Sequence, residues 1–277
     1  MEQFYSFPLK MHVGGPDTPI VKEGQRIKRG ECIAEPKGLG AKIHSSVSGN
    51  VVKITDSAIV IKPDDKQSEE YVKIKKCDSI ADTVYEAGVV GAGGAGFPTH
   101  IKLKTKLSNG YIIANCVECE PVLHHNIGRI EKKPEEIIKG IRYAMSSTGA
   151  KKAYIAIKSK HLEAIKVLKN CLKNDNSIQI KELPDMYPMG EERAIIHAIF
   201  DRWLEPTQLP ADADCVVLNA ETLFNITMAV EYGKPVIDKD ITVIGKLKSG
   251  IEPNVFFQVP VGTSIKSLIE KCIRFYT

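Results

Sequence analysis

The sequence predicts an α/β protein built in three parts, and three observations carry that reading. Residues 1–76 are short apolar stretches broken by turn residues, with no helical periodicity. From residue 77 to 236, amphipathic helical patterns alternate with short buried strands, which argues a helix-flanked, mostly parallel sheet. Residues 237–277 return to short strands and close on a short helical pattern, the opening of a small third domain.

In the first part, "VKEGQRIKRGECIAEP" carries Gly24 and Gly30 as punctuation between short strands. "AKIHSSVSGNVVKI" follows, with "SGN" as a turn, and then "AIVIKP" and "YVKIKK" as further strands. The expected core is Val13, Ile27, Ile33, Val47, Val51, Ile54, Ile59 and Ile61. In the second part, "DSIADTVYEAG" makes a short helix closed by Gly88. The run "GVVGAGGAGFPTHIK" comes next, with five glycines between Gly88 and Gly96. "YIIANCVECEP" is a buried strand over Tyr111 to Ala114 that empties into an acidic loop. "KKPEEIIKGIRYAMSSTG" starts on Pro134 and places Ile137, Ile138, Ile141, Ala144 and Met145 at helical spacing. "AKKAYIAIK" and "SIQIKELP" are strands, with the amphipathic helix "KHLEAIKVLKNCLK" between them. "MGEERAIIHAIF" is a third helix, with Glu191 and Glu192 in its first turn, and "DCVVLNAETLFNITMAV" reads as strand, loop and helix.

Composition excludes several classes. A chain of 277 residues with 26% charged and 43% apolar residues is ordinary for a globular protein with one large core or a main domain with satellites. Its formal charge of +4 comes from mixed signs without a basic tract, which argues against nucleic acid. The apolar runs are too short for a membrane span, and the start lacks the layout of a signal peptide. Seven cysteines, an odd number, do not form a disulfide framework. A reducing, cytoplasmic compartment is the expectation.

Ligands of open parallel sheets bind beyond the carboxyl ends of the strands. Three polar loops fall there: Asn115 to Pro121, Met189 to Arg193, and Asn219 to Thr222. The glycine run lies just ahead of the first. Its glycines let backbone N–H groups converge on an anion, a helix after it would add its positive end, and Lys102 and Lys104 supply charge for phosphate. A glycine turn packed against a helix would leave the same trace. No GK[ST] follows, and the dinucleotide fingerprint matches poorly. Glu118, Glu120, Glu191 and Glu192 can hold ribose hydroxyls or amide groups, or can be ordinary solvated acids. Asn219 offers an amide donor and acceptor suited to a flavin edge. His124 and His125 can join Cys119 as metal ligands, and Cys116 with Cys119 can form a thiol redox pair. His44 and Trp203 read as structural.

Taken together, these loops resemble a known family. "GAGGAGFPTHIK" resembles the glycine-rich loop of the flavin- and NADH-binding subunit of respiratory complex I, and "NCVECEP" its acidic loop. Val117 stands where the complex I form has Asp, which points to the RnfC-like branch found in Rnf electron transport complexes. "YPMGEERAII" and "LNAETLFN" follow in the expected order. "HVGGPDTPIVKEGQRIKRGECIAEP" with "IHSSVSGNVVKI" resembles that branch's barrel-sandwich module, a relative of biotinyl and lipoyl domains, without a modification lysine in its "SVSGN" turn. "VPVGTSIKSLI" resembles a soluble-ligand-binding (SLBB-like) β-grasp domain.

The resemblance implies a barrel-sandwich module over 1–76, a Rossmann-like FMN- and NADH-binding domain over 77–236, and an SLBB-like domain over 237–277 that is cut short. It implies that Gly91, Gly93, Gly94 and Gly96 let the backbone approach FMN and NADH, with Phe97 lying against the nucleotide and Lys102 at the FMN phosphate or ribityl chain. Asn115 and Asn219 would bond the flavin, Glu118 and Glu120 would line the nicotinamide side, and Gly190, Glu191 and Glu192 would stand beside the ring and the NADH ribose. No side chain acts catalytically in this scheme; Glu120, Glu191 and Glu192 orient NADH, and the acidic loops favour it over NADPH by repelling a 2′-phosphate. Val117 departs from the family pattern at its own position, and its uncharged side chain implies weaker FMN binding or a different set of contacts. Relatives continue into a domain of iron–sulfur clusters, and this chain stops before any such run. It is expected to be a fragment or a specialised member, with the D-proline reductase-associated subgroup as the narrower placement. The implied activity is NADH oxidation through FMN, with electrons passed to an iron–sulfur or other redox partner, and the implied location is peripheral to a membrane complex. The competing expectation is a non-catalytic docking or scaffold module that has lost its cofactor.

Overall fold

The computed structural model describes residues 4–107, 109–120, 122–245 and 254–272. The N-terminal region is a β module. Strands β1 (Tyr5–Pro8), β3 (Arg26–Ile27), β6 (Gly49–Ile54) and β7 (Ala58–Pro63) form one antiparallel sheet in the order β1-β7-β6-β3. Strands β2 (Thr18–Pro19), β4 (Cys32–Glu35) and β5 (Ile43–His44) form the other. One apolar cluster fills the space between them: Phe7, Leu9, Val21, Ile27, Ile33, Ala34, Ile43, Val47, Val51, Ile59 and Ile61. Six of the eight expected core residues are in it. Ile54 is only partly buried against the cluster, and Val13 lies outside it, where its N–H serves a loop contact instead. The expected strand 71–76 is absent. Val72 N donates to Arg29 O at 2.8 Å and Ile74 N to Gly233 O at 2.9 Å, so the segment makes single bonds to two separate regions rather than a ladder.

The central region begins with α1 (Ile80–Glu86), capped by Ser79 and ended by Gly88 at φ 69°. After α2 (Thr99–Leu103), β8 (Tyr111–Asn115) enters the sheet. Then come α3 (His125–Lys132), α4 (Pro134–Thr148), β9 (Lys152–Lys158), α5 (Leu162–Cys171), β10 (Ile178–Leu183), α6 (Glu192–Phe200), β11 (Cys215–Asn219) and α7 (Ala220–Tyr232). All four strands are parallel, in the order β10-β9-β8-β11. The chain therefore leaves β8 toward β9 on one side and returns beside it as β11 on the other, which makes the β8/β11 boundary a topological switch point. Alternate strand residues divide the core. Ile112, Ala114, Ile155, Ile157, Val216 and Leu218 pack with the residues of α1, α3, α4, α5 and α7. Ile113, Ala156, Cys215 and Val217 pack with Ile195 and Ile196 of α6. α4 and α7 cross closely enough at Gly140 that a Cβ there would lie 2.1 Å from Leu223 O.

The C-terminal region is a small β module. β12 (Asp238–Val243) pairs antiparallel with β13 (Asn254–Pro260), and α8 (Ile265–Cys272) follows. Buried ion pairs fasten it to the rest. Arg129 of α3 forks onto Asp240, with Nε 2.7 Å from Oδ2, and both side chains are 4% exposed. Its guanidinium lies 4.3 Å from the Phe224 ring centroid and 4.8 Å from that of Phe257. Arg29 of the β module reaches Asp238 at 3.1 Å, and Ser46 Oγ donates to Val261 O at 2.6 Å. No helix among the described residues is long and apolar enough to cross a membrane.

Candidate functional site

The site grows from the two central strands. In the β8–β11 register Asn115 is paired with Asn219, so two amides stand side by side at the switch point. Strand alternation puts both on the face covered by α6. Asn115 holds two loops: its Oδ1 accepts from Val117 N at 3.1 Å, and its Nδ2 donates to Gly190 O at 2.9 Å. Asn219 caps α7 by accepting from Glu221 N at 2.9 Å.

The glycine run is a loop with a closed neck and an open tip. Val90 bridges Pro98, and Gly91 N donates to Phe97 O at 2.9 Å. Gly93, Gly94 and Ala95 are exposed at the tip, and Phe97 is half-buried at its root. A Cβ on Gly93 would lie 2.9 Å from Asn219 Nδ2, whereas one on Gly94 would meet nothing within 4 Å. Gly96 has φ +70° and sits against Met11 and His12 of the β module, where Val13 N donates to its carbonyl at 3.2 Å. Ala92 N donates to Thr222 Oγ1 at 2.9 Å. On the opposite side, a Cβ on Gly190 would stand 2.5 Å from Cys119 Sγ and 2.7 Å from Val117 O. The glycine loop therefore touches the Asn219 loop, and the Asn115–Glu120 loop touches the Gly190–Glu192 turn, all at one rim of the sheet.

Several individual expectations change. The helix after the glycine run is only α2, five residues long, and two of its first three N–H groups are taken, Thr99 N by Val89 O at 3.1 Å and Ile101 N by Pro98 O at 3.2 Å. Lys102 is not free: its Nζ lies 2.9 Å from Glu192 Oε1 and 3.0 Å from Val217 O. Glu118 is 5% exposed and turns inward, where Oε1 accepts from Asn126 N at 2.8 Å at the start of α3. Burial pushes its carboxyl above the ordinary glutamate range, and its Oε2 has no partner. Glu191 is not in the first turn of α6 but is its N-cap, accepting from Arg193 N at 2.9 Å and Ala194 N at 3.0 Å. Of the four acids, Glu120 alone is exposed at the rim, and Glu192 is half-exposed against Lys102. Val117 is buried in the cluster beneath α6, where an apolar side chain belongs and an aspartate would be desolvated.

Burial pushes the Cys116 thiol up to about 12, so it is not poised as a thiolate. Among the described residues no group of three His, Cys, Asp or Glu can hold a metal ion; His125 Nδ1 instead faces Thr242 Oγ1 at 3.0 Å. His44 is structural, its ring bridging Gly30 O and Glu86 O at 3.1 and 2.8 Å. Trp203 is 75% exposed and stacks on His197 with centroids 3.7 Å apart. Sequence reasoning missed Lys239, whose Nζ pairs with buried Glu221 and reaches Ala92 O at 3.4 Å. No local motif marks it, because its partners are 18 and 147 residues away.

Residues 84–228 match the family described as the Nuo51 FMN-binding domain, and residues 1–76 match the RnfC barrel sandwich hybrid domain. The C subunit of the Na+-translocating ferredoxin:NAD+ oxidoreductase complex of Acetobacterium woodii is 31% identical over 97% of this chain and 64% of its own length. The C subunit of the proton-translocating ferredoxin:NAD+ oxidoreductase complex of Clostridium ljungdahlii is 32% identical over 97% of this chain and 62% of its own. Cobalamin reductase PduS of Citrobacter freundii is 38% identical over 69% of this chain and 41% of its own. The chain thus spans less than two thirds of these relatives. Among solved structures, a chain of an NAD+-reducing NiFe-hydrogenase shares the fold with a TM-score of 0.60 at 22% identity, over 70% of this chain and 38% of that one.

Proposed function

Because the chain belongs to the Nuo51 FMN-binding domain family, with an RnfC-type barrel-sandwich module before it, we propose that it works as an NADH-dependent electron-transfer flavoprotein module. One observation carries this reading: separate loops converge at the switch point of a parallel sheet, and the glycine tip between them faces open space at Gly94. That geometry fits FMN. A backbone without side chains lets a flat or anionic group approach closely, and the paired Asn115 and Asn219 stand at the strand ends beneath it. When bound, the flavin supplies hydride acceptance from NADH and single-electron release to an iron–sulfur or other redox partner.

The chain's own residues hold and orient. Gly93 and Gly94 form the open cradle, Gly91 and Gly96 shape the neck that carries it, and Phe97 offers an apolar edge at its root. Asn115 and Glu191 act mainly through the loops they fasten, Asn115 by gripping Gly190 O and Glu191 by capping α6. Lys102 serves a phosphate only by loosening Glu192, so these two form an exchangeable pair. Glu120 is exposed and Glu191 and Glu192 are half-exposed, so all three can meet the NADH ribose, Glu191 by loosening Arg193 and Glu192 by loosening Lys102, while Glu118 supports the α3 start from beneath.

On this reading the iron–sulfur acceptor is outside the residues described, the C-terminal module is of the SLBB type, and the protein is peripheral to a membrane-bound complex. The D-proline reductase-associated subgroup is the narrower placement. The alternative is a docking or scaffold module that has lost cofactor binding.

FMN titration of the anaerobic protein, followed by NADH, separates the two. Binding with bleaching of the flavin bands supports the proposal, and no binding at excess FMN supports the scaffold. The variant Gly94→Ala sharpens the test, since a Cβ there meets nothing in the protein. It should leave the melting temperature unchanged and weaken FMN at least tenfold. Unchanged affinity would place the flavin elsewhere.

A further inference from the structure

Ala92, in the glycine loop, is held at both of its backbone polar groups by side chains from outside the loop. Its N–H goes to Thr222 Oγ1 at 2.9 Å, and its carbonyl faces Lys239 Nζ at 3.4 Å. Thr222 belongs to α7, and Lys239 belongs to β12 of the C-terminal module. The two are themselves linked. Lys239 pairs with Glu221, which is 3% exposed, and the second oxygen of Glu221 accepts from Asp240 N at 3.0 Å. The start of α7, the edge of β12 and the root of the glycine loop are thus one polar network.

We propose that Lys239 is a positioning residue for the glycine loop, through which the C-terminal module sets the orientation of the backbone that receives the flavin. The Ala92–Gly93 peptide is trans. In a trans peptide the carbonyl and the following N–H point in opposite directions. A cation holding the Ala92 carbonyl therefore fixes the Gly93 N–H on the far side, at the beginning of the exposed tip. Glu221, buried and anchored by Asp240 N, keeps the Lys239 ammonium from swinging away. Lys102, on α2 just after the loop, is engaged by Glu192 and Val217 O. The proposal rests on FMN binding at this loop only for its consequence; the restraint on the loop is a property of the chain itself.

The test uses the whole chain. The double variant Lys239→Met/Glu221→Gln removes the ammonium without stranding a buried carboxylate, and Lys239→Gln is a second route, shorter by one bond and uncharged. Lys239→Arg keeps the charge. Amide hydrogen exchange of Gly91 and Ala92, whose N–H groups are held by Phe97 O and Thr222 Oγ1, should rise about tenfold without FMN in both uncharged variants, the loss of one charge-assisted hydrogen bond. Exchange in β8 and β9 should stay unchanged, and Lys239→Arg should restore the protection of Gly91 and Ala92. FMN affinity should fall by a similar factor with the same rescue. Unchanged exchange at Gly91 and Ala92, or an equal rise across the sheet, overturns the inference. If the wild type binds no FMN, the proposed function fails while the exchange result still decides the role of Lys239.

Discussion

Replacing Arg129 with Met should separate the C-terminal module from the sheet domain at a predictable cost. Arg129 and Asp240 are each 4% exposed, and the guanidinium makes two bonds to the carboxylate. Met keeps most of the apolar contact with Phe224 and Phe257, so the packing loss is small. The large effect is electrostatic. Among the described residues Asp240 would keep one hydrogen bond to its carboxylate, from Gln258 N at 2.9 Å, and Asp240 N would still be bound by Glu221. Removing one partner of a buried pair costs about 3–5 kcal/mol, because the charge left behind is neither solvated nor paired. The remaining Gln258 bond places the expectation near the lower end, about 3 kcal/mol. For a chain of this size that lowers the melting temperature by roughly 6–12 °C. Urea unfolding followed by circular dichroism gives the number directly. The double variant Arg129→Met/Asp240→Asn retains an acceptor for Gln258 N and carries no stranded charge, so it should recover at least half of the loss. A loss below about 1 kcal/mol in the single variant, or no recovery in the double, would refute the claim that an unpaired buried charge is what destabilises it.

Three further outcomes follow from the same geometry. Gly140→Ala gains about 1 kcal/mol of helix propensity, yet its Cβ would lie 2.1 Å from Leu223 O at the α4–α7 crossing. Overpacking of about 1–3 kcal/mol should win, and a higher melting temperature would show that the crossing relaxes freely. Gly190→Ala should destabilise by a similar amount and disturb the Asn115 contact, since its Cβ would be 2.7 Å from Val117 O; thermal unfolding without loss would contradict that. Burial, aided by Lys160, lowers His161 from 6.5 to about 4. The unfolded chain then takes up the proton first, so this contribution is present above pH 6.5 and is lost as pH falls toward 4. Urea midpoints at pH 7 and pH 5 should diverge less in His161→Gln; equal divergence in both proteins would remove His161 as the cause.

Periodicity made the sheet and its long helices legible. Ile137, Ile138, Ile141 and Ala144 face the core as their spacing requires, and Tyr111–Asn115 is the strand expected over Tyr111 to Ala114 with one residue added. The segment 71–76 alternates like a strand and is not one, because a ladder needs a neighbour and periodicity reports only burial. α3 is eight residues long and carries only Ile127 and Ile130 as apolar positions at helical spacing, too short a pattern to mark a helix in the sequence. At the site, residue types were legible and their partners were not. Asn115 meets Gly190 across 75 residues, and Lys102 meets Glu192 across 90. Carboxylates at helix starts look alike in sequence whether they face a ligand or cap the helix, as Glu118 and Glu191 do.

The seam at Gly96 bears on how such chains can be recombined. The β module and the sheet domain match two separate families, which invites treating them as exchangeable cassettes. Yet a Cβ on Gly96, where φ is +70°, would press on Met11 O at 3.0 Å and His12 Cα at 3.1 Å, and one on Gly88 would lie 2.2 Å from Lys42 O. A chimaera that takes its front cassette from a distant relative must import the His12 and Lys42 surfaces together with the loop they press upon. Otherwise it inherits a receptor rim shaped against a wall that is no longer there.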